Sequence, residues 1–390
     1  MLIKQAKQFF MAALFALLLP IQCIHSLAHA GDTPVTIETI YNVLQSREQR
    51  IRSCAFSWTE AITVSKGGLS AFTPAQYKSG APQQPAEDKT FNGAYRLVLD
   101  GGKIRAEGNP LMETPTGGGL QDQTYILKEG LYKSYTPKGA AMDYPAGAIS
   151  NGAQYNGAQG WQTAPHLMPL IMALRPFRYE GVLFDRFTTR YSIIPGQQVV
   201  RGRKCTVIKD VPERPNRSYN MLWLDNERDY MPVRFSLQRG DVTLLQIDYL
   251  RWDSVGSEWL PIEWKKTLMN SDGGVNRSAL AVVNERSVNQ PVDEKEFTLE
   301  FPVGTHVTDY MDPKNPQDYI VREEGRKREI TKSELGVLTH EQLLNSEPSD
   351  HSLVRRRLWL QGLIALSVAL GVAVAVLVYR VWRRRRGDSK

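Results

Sequence analysis

The sequence of 390 residues has few of the side chains that most often hold metals or act as nucleophiles, with 3 Cys and 6 His. It also lacks a G-x-S-x-G motif, a P-loop and a G-x-G-x-x-G motif, which excludes the commonest hydrolase and nucleotide-binding signatures. The histidines beyond the N-terminal leader have no metal-ligand partner three or four residues away; they are His166, His306, His340 and His351. We therefore predict no catalytic residue, no metal site and no cofactor, and expect a protein that is not an enzyme.

Cysteine remains at only two positions after the leader, Cys54 and Cys205, each within a strand-like segment. Disulfides form in oxidising compartments, so an exported chain with two cysteines favours a bridge between them. We therefore predict a Cys54–Cys205 disulfide joining two neighbouring strands. The alternative, a pair of buried apolar thiols, stays open at this point.

Both ends of the chain carry an apolar segment. Residues 1–30 show a positive start, the apolar run FFMAALFALLLPI and an A-x-A cleavage site ending at Ala30, which is the pattern of a signal peptide. Leu358–Tyr379 contains 22 residues without a charge, enough at 1.5 Å per residue to cross a bilayer as one helix. A basic tail over residues 380–390 follows. The two segments predict a single-pass membrane protein with its ectodomain outside and its tail in the cytoplasm.

The positive net charge is confined to these ends. The whole chain carries +7, of which the leader contributes +2 and residues 355–390 contribute +8, so the remainder carries −3. Positive charge at membrane flanks is ordinary. The basic balance therefore gives no reason to expect a nucleic acid as partner.

Strand patterns dominate the chain between the two ends. In LWLDNERDYMPVRFSLQ (222–238), Val233, Phe235 and Leu237 alternate with polar residues after a charged turn, which is the period-2 pattern of a half-buried strand. About a dozen such runs and two helical segments predict a mainly β (α+β) domain over residues 31–310.

The composition changes after this domain. Residues 311–357 are charged and weakly apolar, as in DPKNPQDYIVREEGRKREITKSEL. This composition predicts a tether between the domain and the membrane span.

The order of one helix followed by many strands resembles the periplasmic lipoprotein carriers of bacteria, the Lol family, and the related half-barrels of anti-sigma-factor regulators. The resemblance rests on RIRSCAFSWTEAITV, on MLWLDNERDYMPVRFSLQ with VTLLQIDYLRWDSVGSEWLPIEW, and on VNQPVDEKEFTLEFPVGTHVTD. It implies an open antiparallel half-barrel of about a dozen strands plugged by two helices, whose cavity takes lipid acyl chains in that family. A periplasmic ectodomain places the predicted span in the inner (cytoplasmic) membrane. This anchor is where the sequence departs from the carriers of that family, which shuttle freely across the periplasm.

In such a half-barrel, the apolar residues that face inward line the cavity. The candidates are Trp58, Leu97, Leu99, Tyr125, Leu127, Leu224, Val233, Phe235, Leu237, Ile247, Tyr249 and Trp264. The alternative for each of them is packing in an ordinary core. The expected function is binding of a lipid, an acylated protein or another apolar ligand near the inner membrane. Two other classes stay open: a periplasmic sensor that signals through an inner-membrane protein, and a structural ectodomain without a ligand.

Overall fold

The computed structural model describes residues 35–68, 85–114, 117–139, 143–151, 166–177, 187–210, 218–270, 272–346 and 359. The predicted signal peptide (1–30) and basic tail (380–390) lie outside the described residues, as does the predicted span (358–379) except for Trp359. None of the helices in the described ranges has the length and hydropathy needed to cross a bilayer.

One long helix precedes the sheet, as the sequence predicts. Helix α1 (Ile37–Arg50) begins at Thr36, whose side-chain oxygen accepts a hydrogen bond from a backbone N–H of the first turn. Ile40 and Leu44 lie on one face of α1 and are 0% and 3% exposed. This apolar face packs on the sheet. Three short α-helices follow in the described ranges: α2 (Met168–Leu174), α3 (Phe187–Arg190) and α4 (His340–Asn345).

Strands make up most of the described chain. They are β1 (Ser53–Val64), β2 (Lys89–Asp100), β3 (Lys103–Gly108), β4 (Leu111–Thr114), β5 (Gly117–Leu120), β6 (Gln123–Lys128), β7 (Leu131–Thr136), β8 (Ala146–Asn151), β9 (Tyr191–Val200), β10 (Arg203–Asp210), β11 (Tyr219–Asp225), β12 (Met231–Arg239), β13 (Val242–Val255), β14 (Glu258–Met269), β15 (Val275–Val288), β16 (His306–Tyr310), β17 (Gln317–Val321) and β18 (Lys327–Ile330).

Sixteen of these strands form one open sheet, in the order β18-β17-β16-β8-β7-β6-β3-β2-β1-β15-β14-β13-β12-β11-β10-β9, and β4 pairs only with β5. The pairs are antiparallel except for β8 with β16. The two outermost strands, β9 and β18, do not pair with each other, so the sheet described here is open. The predicted mainly β, open antiparallel architecture is confirmed at this level, with more strands than the expected dozen.

The helices α1 and α2 cover one face of the sheet, which we call the helix-covered face. The main core lies between these helices and the sheet and includes Ile40 of α1, Leu170 of α2 and Trp264 of β14, all 0% exposed. Smaller apolar clusters lie elsewhere, one of them around Cys205 and Trp223. The core is therefore built from the helix-covered face and not from both faces equally.

The predicted tether is wrong for residues 311–346, which belong to the fold. Strands β17 and β18 extend the sheet, and Ile320, Ile330 and Leu343 form an apolar cluster beside them. Arg328 and Glu334 form a buried ion pair of 2.6 Å, with side chains 1% and 3% exposed. Composition alone does not distinguish charged residues that pair inside a fold from those of a solvated linker. For this reason the segment was interpreted as a tether.

The predicted Cys54–Cys205 disulfide is also wrong, because both cysteines are free and buried. Cys54 lies on β1 and Cys205 on β10, and five strands separate β1 from β10 in the sheet. The two thiols also belong to different apolar clusters. Burial raises the pKa of the Cys54 thiol to about 12 and that of the Cys205 thiol to about 11, so both are unreactive thiols at neutral pH.

Candidate functional site

Eleven of the twelve predicted cavity residues meet in the main core on the helix-covered face. Eight are buried and three are partly buried against the same cluster. The buried ones are Trp58, Leu97, Leu99, Leu224, Phe235, Ile247, Tyr249 and Trp264, and the partly buried ones are Tyr125, Leu127 and Leu237. Period-2 alternation therefore identified the residues of this face, and most of them pack against each other and the helices.

Val233 is the exception and was predicted wrongly. Trp223 pairs with Arg234 and Leu224 pairs with Pro232, so Val233 is an extra residue at a β-bulge. A bulge breaks the alternation, and Val233 packs with Cys205 and Trp223 in a separate cluster. Phe235, beyond the bulge, stays on the helix-covered face.

Two buried arginines fasten α2 to α1. Arg47 of α1 donates from Nη2 to the carbonyl oxygen of Ala173 in α2 at 2.9 Å. Arg175, just after α2, donates from Nη1 to the carbonyl oxygen of Glu48 at 3.1 Å and from Nη2 to that of Arg52 at 3.0 Å. Each cation therefore lies among carbonyl groups at the C-terminal end of the other helix, where positive charge is favourable.

A further hydrogen bond joins α2 to the sheet. Tyr249 Oη, on β13, donates to the carbonyl oxygen of Pro169 at 2.8 Å. All seven residues of α2 are buried. The position of α2 on the helix-covered face is thus set by apolar packing together with a small number of polar contacts at its two ends.

A small cavity lies beside the start of α2, next to His166. Its volume is about 70 Å³, several times the roughly 10–15 Å³ that one water molecule needs. The apolar part of its wall comprises Ile62, Tyr95, Pro110, Leu111, Leu268 and Ala279. Its polar part comprises Glu60, His166, Lys266 and Arg277. We call this space the α2 cavity; strands β1, β2, β14 and β15 contribute most of its wall.

The α2 cavity contains a buried ion pair. Lys266 Nζ lies 2.8 Å from both Oε1 and Oε2 of Glu60, and the two side chains are 4% and 1% exposed. The indole N–H of Trp58 approaches Glu60 Oε1 at 3.4 Å. Burial lowers the pKa of Lys266, and the Glu60 carboxylate opposes this effect. The pair is therefore self-contained, and each charge depends on the other for its stabilisation.

His166 is a neutral ring in the wall of the α2 cavity. It stacks on Tyr95 with ring centroids 4.9 Å apart. Burial, and to a lesser degree the positive charge of Lys266, lowers the pKa of His166 to about 3. Burial also raises the pKa of Tyr95 well above its usual value. At neutral pH the cavity therefore presents two neutral rings, one ion pair, the Arg277 guanidinium and apolar walls.

The neutral state of His166 predicts a loss of stability in acid. In the unfolded chain the pKa of His166 is about 6.5, so as the pH is lowered the unfolded state takes up a proton before the folded state does. The free energy of unfolding therefore decreases as the pH falls from about 6.5 to about 3. At pH 5 the loss is about 2 kcal/mol relative to pH 7 and above. Chemical denaturation at several pH values measures it.

The matched variant His166→Phe keeps an aromatic ring against Tyr95 and removes the titrating group. We expect the difference in unfolding free energy between pH 7 and pH 5 to shrink by about 2 kcal/mol in this variant. The contributions of all other carboxylates and histidines are common to both proteins. An unchanged pH dependence would show that His166 is accessible to protons in the folded state.

Sequence reasoning missed the polar residues of this site, although their register contained the signal. On β1 the buried positions alternate through Trp58, Glu60 and Ile62. On β14, Trp264 and Lys266 are buried while Lys265 between them is exposed. A charged residue at an inward position on each of two strands was the available indication of a buried pair.

Comparison with family models and with curated proteins gave no match. Similar solved structures include a DUF1329 family protein from Desulfovibrio piger (9% identity, TM-score 0.37, covering 68% of this chain and 98% of that one). They also include a LolA superfamily protein from Nitrosomonas europaea (12%, 0.36, 68% and 99%) and a putative outer membrane lipoprotein-sorting protein domain from Vibrio parahaemolyticus (13%, 0.35, 67% and 97%).

Proposed function

We propose that this chain is a non-catalytic binding protein whose helix-covered face receives an acyl chain or a similar apolar ligand through the α2 cavity. The observation that supports it most directly is the α2 cavity itself, a largely apolar space beside the start of α2 whose wall includes Tyr95 and Leu268 of the main core. Cavities of this kind are the usual sites for apolar ligands. The Glu60–Lys266 pair is satisfied internally, so the cavity offers a ligand its apolar wall together with the Arg277 guanidinium.

The size of the α2 cavity determines how a ligand would enter. A volume of about 70 Å³ accommodates only the end of an acyl chain. Deeper entry requires α2 to move away from the sheet, exchanging its own apolar contacts for those of the ligand. Because each methylene removed from water contributes about 0.8 kcal/mol, a chain of a dozen methylenes supplies on the order of 10 kcal/mol against this cost and the cost of association.

Membrane attachment is a separate part of the proposal. It rests on the apolar segment Leu358–Tyr379 and on the signal-peptide pattern of residues 1–30. The folded domain would then lie in the periplasm, held at the inner membrane, where it receives or presents its ligand. Carbonate extraction of membranes from cells that express the full chain, with protease added to spheroplasts, tests the anchoring and the orientation together.

The ligand proposal predicts that filling the α2 cavity abolishes acyl-chain binding. Ala279 lines the cavity, is 4% exposed, and lies opposite Ile62 and Lys266 in the register. We expect Ala279→Phe to fill the space with a ring at a cost of about 1–3 kcal/mol in stability. The measurement is cross-linking of the full-length protein, in membranes, to a fatty acid carrying a photoreactive diazirine, followed by peptide mapping.

The wild-type protein should carry cross-links on peptides of β1, β14 and β15, and Ala279→Phe should lose them. Leu280→Phe is the matched control, because Leu280 is the next residue of the same strand and is 40% exposed. This control should keep the cross-links. Cross-links confined to residues 358–379, or none at all in the wild-type protein, would refute the ligand proposal.

A further inference from the structure

A second cleft lies away from the α2 cavity and is lined by four arginines. Arg201 and Arg203 come from the turn between β9 and β10 and from β10 itself, Arg228 from the turn between β11 and β12, and Arg251 from β13. The cleft has a volume of about 370 Å³. We call it the arginine cleft. Four guanidinium groups from separate segments of the chain would repel each other, so their convergence requires an explanation.

Two of the four arginines are held in place by the protein. Arg203 Nε donates to Asp225 Oδ2 at 2.8 Å, and the Asp225 side chain is 2% exposed. Arg228 Nε lies 3.9 Å from the same carboxylate oxygen. The Arg228 guanidinium also lies 4.4 Å from the ring centroid of Trp259. These two side chains are therefore positioned before any ligand arrives.

The other two arginines face solvent. Arg201 makes no ion pair with any residue in the described ranges, and its φ of +51° is uncommon for a residue with a side chain. Gly202, with φ of +76°, completes this tight turn. Arg251 lies where the pairing of β13 with β14 shifts register twice, and its side chain is 63% exposed. An unfavourable turn conformation and an irregular strand thus both present an arginine to the same cleft.

The acidic groups nearby do not neutralise the arginine cleft. Asp225 is the one acidic residue in its lining within the described part of the chain. Glu227 lies 3.5 Å from Arg203 with a side chain 64% exposed, and Glu263 lies 3.8 Å from Arg251. Among the residues that the structure describes, four positive charges face three negative ones, and one of the three is in a solvent-exposed side chain. The cleft therefore has a net positive charge, which a bound anion would neutralise.

We propose that the arginine cleft binds the phosphoryl group of a phosphate ester. A guanidinium donates two parallel hydrogen bonds to phosphate oxygens, and a tetrahedral phosphoryl group has enough oxygens to engage more than one arginine. Leu250 and Trp252 form an apolar wall of the cleft, suited to the organic part of the ester. The ligand is either a free phosphate ester or the headgroup of a phospholipid. The proposal does not depend on acyl-chain binding in the α2 cavity.

The test uses the full-length protein in an uncharged detergent and isothermal titration calorimetry with four soluble probes. The probes are inorganic phosphate, glycerol 3-phosphate, dihexanoyl phosphatidic acid and dihexanoyl phosphatidylcholine. We expect the first three to bind and the zwitterionic lipid to bind weakly. Equal affinity for glycerol 3-phosphate and the short-chain phosphatidic acid identifies a free ester as the ligand, whereas binding of the phosphatidic acid alone identifies a lipid headgroup. Because the arginines face solvent, the affinity should fall as salt is added.

The double variant Arg201→Gln/Arg251→Gln removes the two exposed arginines and leaves the Asp225 contacts intact. We expect its affinity for the bound probe to fall at least tenfold, because charge-assisted hydrogen bonds to the anion are lost. Arg239→Gln is the matched control: Arg239 is an exposed arginine at the end of β12, outside the cleft, and this change should leave the affinity unaltered. Thermal unfolding confirms that the variants are folded. A wild-type protein that binds none of the probes, or a double variant that binds them as well as the wild-type protein, would overturn the proposal.

Discussion

Lys266→Met is expected to lower the free energy of unfolding by about 3–5 kcal/mol, because it leaves the Glu60 carboxylate buried without its partner. The Glu60 side chain is 1% exposed, and Lys266 Nζ contacts both of its oxygens. The loss has two sources, the attraction between the charges and the cost of keeping or neutralising a buried carboxylate. Urea denaturation at pH 7, followed by circular dichroism, measures it.

Lys265→Met is the control for Lys266→Met, since Lys265 is the preceding residue of the same strand and is exposed. We expect it to change stability by less than about 0.5 kcal/mol. The double variant Glu60→Gln/Lys266→Met removes both charges and should recover most of the loss, which a double-mutant cycle expresses as a coupling energy. A cost of less than about 1 kcal/mol for Lys266→Met would mean that water reaches the Glu60 carboxylate in the α2 cavity.

The sequence predicted well on which face of its strand a side chain lies. Alternation alone assigned Phe235, Ile247 and Trp264 to one face, and all three are buried together in the main core. The reason is local: side chains two residues apart in a strand lie on the same face whatever the strand pairs with. The same rule would have assigned Glu60 and Lys266 to the buried face, if charged residues had been considered as core candidates.

The errors arose where structure depends on pairing between distant strands. Val233 was misplaced by a bulge, which depends on the register of β11 against β12 and has no strong local signal. The Cys54–Cys205 bridge required β1 and β10 to be neighbours, and strand order cannot be obtained from alternation. The arginine cleft went unnoticed for the same reason, since Arg201, Arg228 and Arg251 come together only through the order of the sheet.

The last prediction concerns whether the helix-covered face is a packed core or an open groove. Phe235 is 1% exposed and belongs to the main core with α1 and α2. Its neighbour Ser236, expected from alternation to face water, is also 1% exposed. Phe235→Glu therefore loses the burial of a ring, worth about 3–5 kcal/mol, and buries an unpaired carboxylate as well. Since domains of ordinary stability have about 5–15 kcal/mol to lose, we expect the variant to be largely unfolded by circular dichroism.

Val199→Glu is the control for Phe235→Glu, because it makes a similar apolar-to-acid change on the edge strand β9 at a side chain that is 69% exposed. This variant should remain folded, with a stability within about 0.5 kcal/mol of the wild-type protein.

If Phe235→Glu also remained folded, the helix-covered face would have to be open and hydrated at this residue. An acyl chain could then enter without displacing α2, and the route through the α2 cavity would be the part of the proposal to abandon. If the variant unfolds while Ala279→Phe folds and loses its cross-links, the ligand enters a packed core by moving α2.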